Sequence, residues 1–596
     1  MALSVNETIA RIREKMDCGG VDAVIIPSGD PHMSEYCSDH WKTRAFVSGF
    51  SGSAGTVVIT KETSGLWTDG RYYVQAAGEL AGSEIQLFRA SEPDCPSYYA
   101  YLQEHLHKGA VIGLNAELFS AQMLKTMQKL WDKKEIRVDG AVDYANELWE
   151  ERPAQELTEI FYLDEQYTGA SAAEKIQQVR SRLAKHEAQA LLVSKLDNVA
   201  WLFNIRAQDV LFNPVAIAYA YIDGANAVLF TDSSRLPEQV REILHRNGVT
   251  VKPYDAVFDA IASIKEPTAV LCDENELNAR LYGAVVQNPA LSVCSRANPI
   301  LMLKSCKNET ETRNTFEAYR EDGCALAEFY AWLFECLQQG EHPTEYELTV
   351  QLAQFRCQQP HNRGESFQPI IGYRENAAMM HYAPHQDTAK SLHPSGMLLI
   401  DSGGQYLTGT TDTTRTFALG PITEEERRDF TLVLKSVIAL STAVFKAGTT
   451  GGMLDCLSRV QLWKYGLDYR CGTGHGVGFM LNVHEGPQGF GGTNQVPLKE
   501  GMVLTIEPGV YTEGSHGIRT ENTAVVVKDQ KTEYGQFYRL DTFTLVPIDV
   551  DCLELALLTP QEIQWLNDYH QRVYTQLAPL VSERARRWLR IKTRSL

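Results

Sequence analysis

The chain has 596 residues, 44% of them hydrophobic, and a formal net charge of −19. This length exceeds what one hydrophobic core usually supports and predicts several domains. No segment approaches the roughly 18 uninterrupted apolar residues of a membrane span, and the acidic balance argues against nucleic acid, so we expect neither partner.

The twelve cysteines are scattered along the chain, and no Cys-x-x-Cys pair occurs. This pattern is typical of reduced thiols and favours a cytoplasmic protein over a disulfide framework. Residues 1–7 contain no basic region followed by an apolar run, so we expect no signal peptide.

A helix–strand unit occurs twice in the first half of the chain. In each copy an apolar stripe at helical spacing precedes a strand-like segment, at residues 23–26 and 190–193. A capping box formed by Ser171 and Glu174 opens the second helix. The pattern predicts two tandem α/β domains of the same ancestry. The stripes consist of Ile9, Ile12 and Met16 and of Ile176, Val179 and Leu183.

Two linker-like segments, 150–154 and 296–299, divide the chain into three predicted domains. The domains cover residues 1–150, 151–300 and 301–596. The third opens with a long helical stretch over about 309–337. Its predicted core residues are Phe316, Tyr319, Cys324, Leu326 and Tyr330.

Four acidic residues of the third domain lie in or just after strand-like segments. Asp401 and Glu507 each close an apolar run, and Asp412 and Glu521 follow them as second acids. Both runs have the same form, an apolar strand, an acid, a small turn and a glycine, so we expect one structural unit used twice. Strand-end acids are also ordinary turn formers, but that alternative does not account for two matched pairs.

His475, in the glycine-rich segment 474–478, completes the set. Four neighbouring carboxylates cannot all stay ionised without cations between them. Carboxylates with one imidazole suit a hard or borderline divalent ion, Mn²⁺ above all. Two such ions about 3.5–4 Å apart can hold a bridging hydroxide and polarise a carbonyl. The residues therefore predict a site for two divalent metal ions.

These segments resemble the pita-bread metallopeptidases and, within them, the Xaa-Pro aminopeptidases (aminopeptidase P) of the long three-domain form. The resemblance extends over nearly the whole chain and implies an α/β (α+β) fold, in which two tandem creatinase-N-like α/β domains precede a pita-bread catalytic domain. Its most specific motifs are at 401–403, 411–415, 474–478, 483–487, 507–509 and 519–522.

The resemblance implies a role for each member of the metal set. Asp401 would bind one metal ion, and His475 and Glu507 would bind the other. Asp412 and Glu521 would bridge the pair.

The resemblance also implies catalytic and substrate-binding residues. Glu507 would take the proton of the metal-bridging hydroxide that attacks the peptide. His381 and His484 would contact the scissile peptide and help protons move. Phe367 and Arg519 match the positions around the proline ring.

Cys471 marks a departure from the family pattern. The family often has a histidine four residues before the metal-binding one, and here that position holds a cysteine. We expect its side chain to face the substrate channel, where a thiol is a poorer hydrogen-bond donor than imidazole. The alternative is that Cys471 is buried packing, since free cysteines are among the most buried residues.

The implied activity is release of the N-terminal residue from peptides with proline at position 2. A prolidase-like dipeptidase shares the fold, but the two leading domains and the C-terminal extension favour the aminopeptidase. Creatinase does not use this metal set. A catalytically silent protein that binds peptides or proteins would be expected to have lost ligands, and all five are present here.

The C-terminal region carries two further patterns. A final helix begins near Pro560 and lies where the long family form has its dimer-forming extension, so we predict a homodimer. Alternatively, this helix packs on its own domain. The basic run 584–594 is interpreted as a solvated helix face or a subunit contact. The apolar face of the helix consists of Ile563, Leu566, Tyr569 and Val573.

Overall fold

The structure is a computed structural model that describes residues 3–596. Met1 and Ala2, which open the segment searched for a signal peptide, lie outside the described residues. The chain forms two compact units. The first ends at Tyr162 and resumes over Ala170–Ile300, and the second consists of Leu163–Gly169 and Leu301–Leu596.

The first unit contains two six-stranded sheets of the same topology. In both sheets the neighbouring strands pair, in order, parallel, antiparallel, antiparallel, parallel and parallel. The predicted duplication is therefore confirmed across the whole sheet. In the first sheet the strands lie side by side in the order Gln86–Arg89, Ser64–Thr68, Thr56–Thr60, Ala23–Pro27, Val111–Leu114 and Arg137–Asp139. In the second sheet the order is Thr250–Lys252, Ala227–Phe230, Tyr219–Asp223, Ala190–Val193, Thr268–Cys272 and Leu291–Ser295.

Helices cover both sheets of the first unit. The apolar stripes of Val5–Gly19 and Ala172–Lys185 are buried, and the predicted capping box of Ser171 and Glu174 forms. The remaining helices are Thr43–Ser48, Tyr73–Glu79, Tyr98–His105, Ala121–Trp131, Tyr144–Leu148, Leu196–Phe203, Glu238–Arg246, Ala256–Ser263 and Ala279–Gln287.

The second unit surrounds several small antiparallel sheets with helices. The sheets are Asn362–Glu365, Gly404–Tyr406 and Gly409–Thr410; Ile370–Tyr373, Met397–Ser402 and Thr413–Ala418; Val444–Lys446, Gly535–Thr542, Asn522–Thr532 and Val503–Ile506; Gly474–His475 and Gly489–Phe490; and Gly509–Thr512 and His516–Arg519. The helices of eight or more residues are Glu309–Gln338, Glu345–Cys357, Glu424–Ser441, Gly451–Trp463, Pro560–Leu577 and Glu583–Lys592.

The helix Glu309–Gln338 runs through the core of the second unit. A capping box of Asn308 and Glu311 starts it, close to the predicted boundary. Of its five predicted core residues, four are buried and Phe316 is partly buried.

The C-terminal helix Pro560–Leu577 corrects one expectation. Leu566, Tyr569 and Val573 are buried in the core of their own unit, and Ile563 packs against that core. An amphipathic pattern predicts that one helix face is buried but does not identify the surface that buries it. Here that surface belongs to the same chain. This stripe is therefore not a dimer surface.

Part of the basic run near the C-terminus pairs with acids of its own unit. Lys592 Nζ lies 2.7 Å from Asp549 and 2.9 Å from Asp551, and Arg594 also pairs with Asp551. These basic residues therefore have acidic partners within their own unit, whereas Arg587 and Arg590 are exposed.

Two further observations bear on the sequence-based expectations. Among residues 3–596, no helix has both the length and the apolar character needed to cross a bilayer. All twelve cysteines lie in this range and are unpaired, in agreement with the expectation of reduced thiols.

Candidate metal centre

Asp401 and Asp412 lie on one pair of antiparallel strands. Asp401 is in Met397–Ser402 opposite Thr414, and Asp412 directly precedes the partner strand Thr413–Ala418. The connecting backbone is so tight that a Cβ atom on Gly403 would lie 1.9 Å from the Thr411 carbonyl oxygen. The strand pair therefore brings both buried acids to one end.

Glu507 and Glu521 occupy a second strand pair of the same kind. Glu507 follows Val503–Ile506, and Glu521 directly precedes the partner strand, whose Asn522 lies opposite Ile506. The Glu521 amide donates to the carbonyl of Thr414, 3.1 Å away, which joins this half to the first. The predicted repeated unit is thus present as two strand pairs whose acids converge.

His475 reaches this cluster from the short strand Gly474–His475. Its Nδ1 lies 2.8 Å from the Gly476 carbonyl oxygen, which can only accept a hydrogen bond, so Nδ1 carries the proton. Its Nε2 points at the acids, 3.4 Å from Asp412 Oδ2 and 3.3 Å from Glu507 Oε1. A backbone contact of this kind orients an imidazole for metal binding through the other nitrogen.

Three of the five predicted ligands form one compact group, and the other two adjoin it. Ligand atoms of Asp412, His475 and Glu521 all lie within 4.8 Å of one another. Glu507 approaches the same imidazole nitrogen, and Asp401 lies on the strand paired with that of Asp412.

The electrostatics of the cluster favour a cation. Burial raises the pKa of Asp412 to about 6, with a further contribution from Asp401. Burial and the charges of Asp412 and Glu507 raise the pKa of Glu521 well above its ordinary value. Burial lowers the pKa of His475, but its hydrogen bond to Asp412 and the nearby acids outweigh this effect and raise it to about 9. These shifts favour proton binding by the acids while no cation is present, and a divalent ion would compete with those protons.

Two buried oxygens support the same interpretation. Asp401 Oδ1 and Glu521 Oε1 have no hydrogen-bond partner among the described residues. Buried polar atoms are nearly always paired, so these oxygens are suited to an ion. The donor set of four carboxylates and one imidazole fits a hard or borderline divalent metal.

Arg519 lies deeper in the cluster than its predicted place at the proline ring suggests. Its Nη2 donates to Asp401 Oδ2 at 2.6 Å, and its Nη1 donates to the Tyr511 hydroxyl at 2.7 Å. Its Nε donates to Thr414 Oγ1 at 3.1 Å. These bonds orient Asp401, and a substrate contact by Arg519 stays a prediction.

Sequence reasoning missed the residues that orient the ligands. Thr505 donates to Glu507 Oε1 at 2.9 Å, and Thr414 donates to Glu521 Oε2 at 2.8 Å. The Tyr319 hydroxyl accepts from the Asp412 amide at 3.1 Å. Only Thr414, within the metal motif, carried a signal in the sequence; Tyr319 was predicted as core alone.

The other predicted site residues surround the cluster. The rings of His484 and His475 lie 4.3 Å apart at 75°. Phe367 is buried and follows Ser366. The Ser366 amide donates to the Gly403 carbonyl, and the Ser366 hydroxyl donates to the Thr411 carbonyl. This places Phe367 beside the loop between the first two acids.

His381 is half-buried and lies between Tyr373 and Lys390, in a segment that hydrogen bonds to the buried Glu345 keep in place. The Glu345 carboxylate accepts from the Tyr373 and Lys390 amides, the Asn376 side chain and the Tyr382 hydroxyl, at 2.7–3.0 Å. Glu345 resembles an ordinary first-turn helix acid in the sequence, so no pattern predicted this role.

Cys471 is half-buried at the edge of the core. Burial raises the pKa of its thiol to about 11, with a further contribution from Glu507. The thiol packs against the core, as the alternative interpretation expects, and its place in the substrate channel stays a prediction.

The fold and the converging carboxylates indicate a class, the pita-bread metallopeptidases. Residues 316–528 match the model of metallopeptidase family M24, and residues 536–596 match the C-terminal region of peptidase M24. Residues 8–145 and 151–311 each match the creatinase/prolidase N-terminal domain. The expected fold class is confirmed.

Relatives that match the full length of the chain identify the family within this class. The chain is 38% identical to "Probable Xaa-Pro aminopeptidase P" of Laccaria bicolor, over 99% of this chain and 93% of that one. It is 36% identical to "Aminopeptidase P2" of Arabidopsis thaliana, over 99% and 89%. The crystal structure of an X-prolyl aminopeptidase from Caenorhabditis elegans, described as a cytosolic enzyme with a di-nuclear active site, matches with a TM-score of 0.95 and 32% identity over 100% of both chains. The chain belongs to the Xaa-Pro aminopeptidase P family.

Proposed function

We propose that the protein releases the N-terminal residue from peptides with proline at position 2. The compact group of Asp412, His475 and Glu521, with Glu507 and Asp401 beside it, carries this proposal. The full-length relatives named Xaa-Pro aminopeptidase support the substrate class.

Two divalent metal ions, Mn²⁺ above all, are part of the proposal. The five ligands and the unpaired buried oxygens of Asp401 and Glu521 support it. When bound, the ions would supply Lewis acidity toward the scissile carbonyl and lower the pKa of the attacking water. Asp401 would hold one ion, His475 and Glu507 the other, and Asp412 and Glu521 would bridge them.

Glu507 is the proposed proton acceptor. Thr505 fixes its Oε1 at 2.9 Å, so the carboxylate has a defined orientation. We assign the proton of the attacking water to Oε2, the oxygen that Thr505 does not engage. A general base needs this control of geometry before its pKa matters.

His484 and His381 are proposed to act on the peptide. An Xaa-Pro bond is a tertiary amide without an N–H group, and its leaving nitrogen must gain a proton when the bond breaks. His484 lies against His475, a proposed metal ligand, so its ring would be close to a carbonyl that the metal ions polarise. We propose that these two histidines bind the peptide and help to deliver that proton.

Phe367, Arg519 and Cys471 complete the proposed substrate site. Phe367 would contact the proline ring beside the loop that joins the acids. Arg519 would act mainly through Asp401, to which it is bound. The thiol of Cys471 would border the channel where many relatives have a histidine.

A prolidase-like activity is the nearest alternative, and peptide length distinguishes it. Xaa-Pro-Xaa tripeptides should have a higher kcat/KM than Xaa-Pro dipeptides, and peptides with alanine at position 2 should react far more slowly. A preference for dipeptides would favour prolidase. Equal rates for alanine and proline peptides would remove the proline specificity.

A homodimeric, cytoplasmic enzyme completes the proposal. The cytosolic C. elegans relative and the unpaired thiols support the location. Because the Pro560–Leu577 stripe is buried in its own unit, a dimer requires another apolar surface. The helix Gly451–Trp463 offers one.

A further inference from the structure

Glu485, the residue after His484, is at the centre of a buried ion cluster. Its side chain is fully buried, and those of Lys304 and Lys307 are 1% exposed. Lys307 Nζ donates to one carboxylate oxygen, and Lys304 Nζ lies 3.2 Å from the other. None of the three belongs to the predicted metal or substrate set.

The lysines are fixed against a strand that leads to the metal site. The Lys307 amide donates to the Gly501 carbonyl at 2.8 Å, and Cys306 forms a bridge with Met502. Lys307 Nζ also donates to the carbonyl of Lys304 at 2.9 Å. The cluster is thus anchored at the start of Val503–Ile506, the strand that directly precedes Glu507.

Glu485 is equally fixed at its backbone. Its amide donates to the Gly476 carbonyl at 2.8 Å, and a Cβ atom on Gly476 would lie 2.0 Å from the Glu485 carbonyl oxygen. This close approach holds Glu485 against the residue that follows His475. His484, one residue earlier, is thereby set 4.3 Å from His475.

By itself, a buried ion cluster contributes little to the folding stability of a protein. Removing charges from water is costly, and well-packed apolar residues often stabilise a core at least as well. Charged groups add directional constraint, which apolar contacts lack. The cluster is therefore better suited to holding its chain segment in a defined position than to stabilising the fold.

We infer that Glu485, held by Lys304 and Lys307, is a positioning residue for His484. The inference rests on the proposed function, in which His484 contacts the peptide. Loss of the cluster should let the His484 segment move relative to His475 and leave the five metal ligands in place.

A double-mutant cycle tests the inference on the full-length enzyme loaded with Mn²⁺. Glu485→Gln should lower kcat/KM for an Arg-Pro-Pro peptide by about tenfold or more, as loss of an orienting partner typically does, with unchanged metal content. In a His484→Asn background the same change should alter kcat/KM by less than about twofold, because the two residues act as one unit. An equal loss in both backgrounds would overturn the inference.

Lys592→Met is the matched control. It also removes a buried lysine–carboxylate pair, with Asp549 at 2.7 Å, in the same unit. We expect it to lower the Tm and to leave kcat/KM unchanged. If Glu485→Gln affects kcat/KM no more than this control, the cluster is merely structural.

Two measurements keep the test decisive. If Glu485→Gln does not fold, Lys307→Met retains the Lys304 pair and should give the same non-additive pattern. If the wild type cleaves no Xaa-Pro peptide, the proposed function fails, and a crystal structure of whichever variant folds tests the cluster alone. The inference predicts a His475–His484 ring separation changed by more than about 0.5 Å, the tolerance of a productive site; an unchanged separation would contradict it.

Discussion

At the residue scale, the candidate metal site combines proposed ligands that the sequence reveals with supporting residues that it does not. Strand-end acids and a glycine-flanked histidine have a recognisable spacing, so Asp401, Asp412, His475, Glu507 and Glu521 could be predicted. Thr505 and Tyr511 lie close in sequence to Glu507 and Arg519, which they contact, but Thr and Tyr are common in strands and carry no signal of their own. Their roles depend on packing that no local pattern encodes.

Glu521→Ala tests the bridging assignment. It removes a carboxylate shared by both metal positions and leaves neighbouring groups without their balancing charge. We expect metal content to fall below two ions per chain and kcat/KM to fall by more than about 100-fold. Loss of a residue that only orients a metal ligand usually has a smaller effect. Glu513→Ala, at an exposed position of the preceding hairpin, is the control. Full activity of Glu521→Ala in chelator would refute the dinuclear site.

Cys471→His tests the departure from the family pattern. An added imidazole at this half-buried position should restore a contact to the peptide, so KM should fall while metal content stays the same. Cys357→His, at an exposed cysteine, should change neither. A lower Tm with unchanged KM would instead identify Cys471 as packing alone.

His570 predicts a pH dependence of stability. Its Nε2 accepts from the Ile548 amide at 3.1 Å, and burial, with Arg415, lowers its pKa to about 4. The unfolded chain takes up this proton near pH 6.5 and the folded chain only near pH 4, so unfolding becomes easier as pH falls between these values. The contribution is on the order of 3 kcal/mol.

Melting curves of the wild type and His570→Gln at pH 7 and pH 5 measure this effect. The glutamine cannot titrate, so its Tm should fall less between the two values than that of the wild type. An equal fall in both proteins would assign the pH dependence to other groups.

At the element scale, duplication is the most predictable feature of the fold. The helix–strand repeat in the first half and the matched acids in the last third both appear as repeated structural units. The full six-strand order could not be predicted, because the outer strands pair with segments distant in sequence. The stripe of Pro560–Leu577 was assigned to the wrong surface, since an apolar helix face does not specify its partner.

The helix Gly451–Trp463 presents an apolar face that its own unit leaves open. Met453 is 62% and Trp463 50% exposed, with Cys456 and Val460 between them at helical spacing. Such a face is unusual on a protein that remains monomeric. We therefore predict that it forms the proposed dimer contact.

Trp463→Glu should convert the dimer to a monomer at low micromolar concentration, because a buried unpaired charge disfavours association. Light scattering measures the mass. Tyr534→Glu, at a more exposed aromatic residue in the same unit, should leave the dimer intact. A monomeric wild type would refute the dimer itself.

At the scale of the whole molecule, the two α/β domains and the catalytic unit form a chain matched end to end by family relatives. The assignment of its chemistry depends on one region of the second unit, where two strand pairs and a histidine converge. Cleavage before proline requires no amide proton from the substrate, and carboxylates that bind metal suit this requirement.

The most direct test is digestion of an Arg-Pro-Pro peptide by chelator-treated protein before and after addition of Mn²⁺, with products identified by mass. We expect no cleavage after chelation, and release of a single N-terminal arginine when Mn²⁺ restores two ions per chain. Cleavage that persists in chelator, or none with both ions bound, would contradict it.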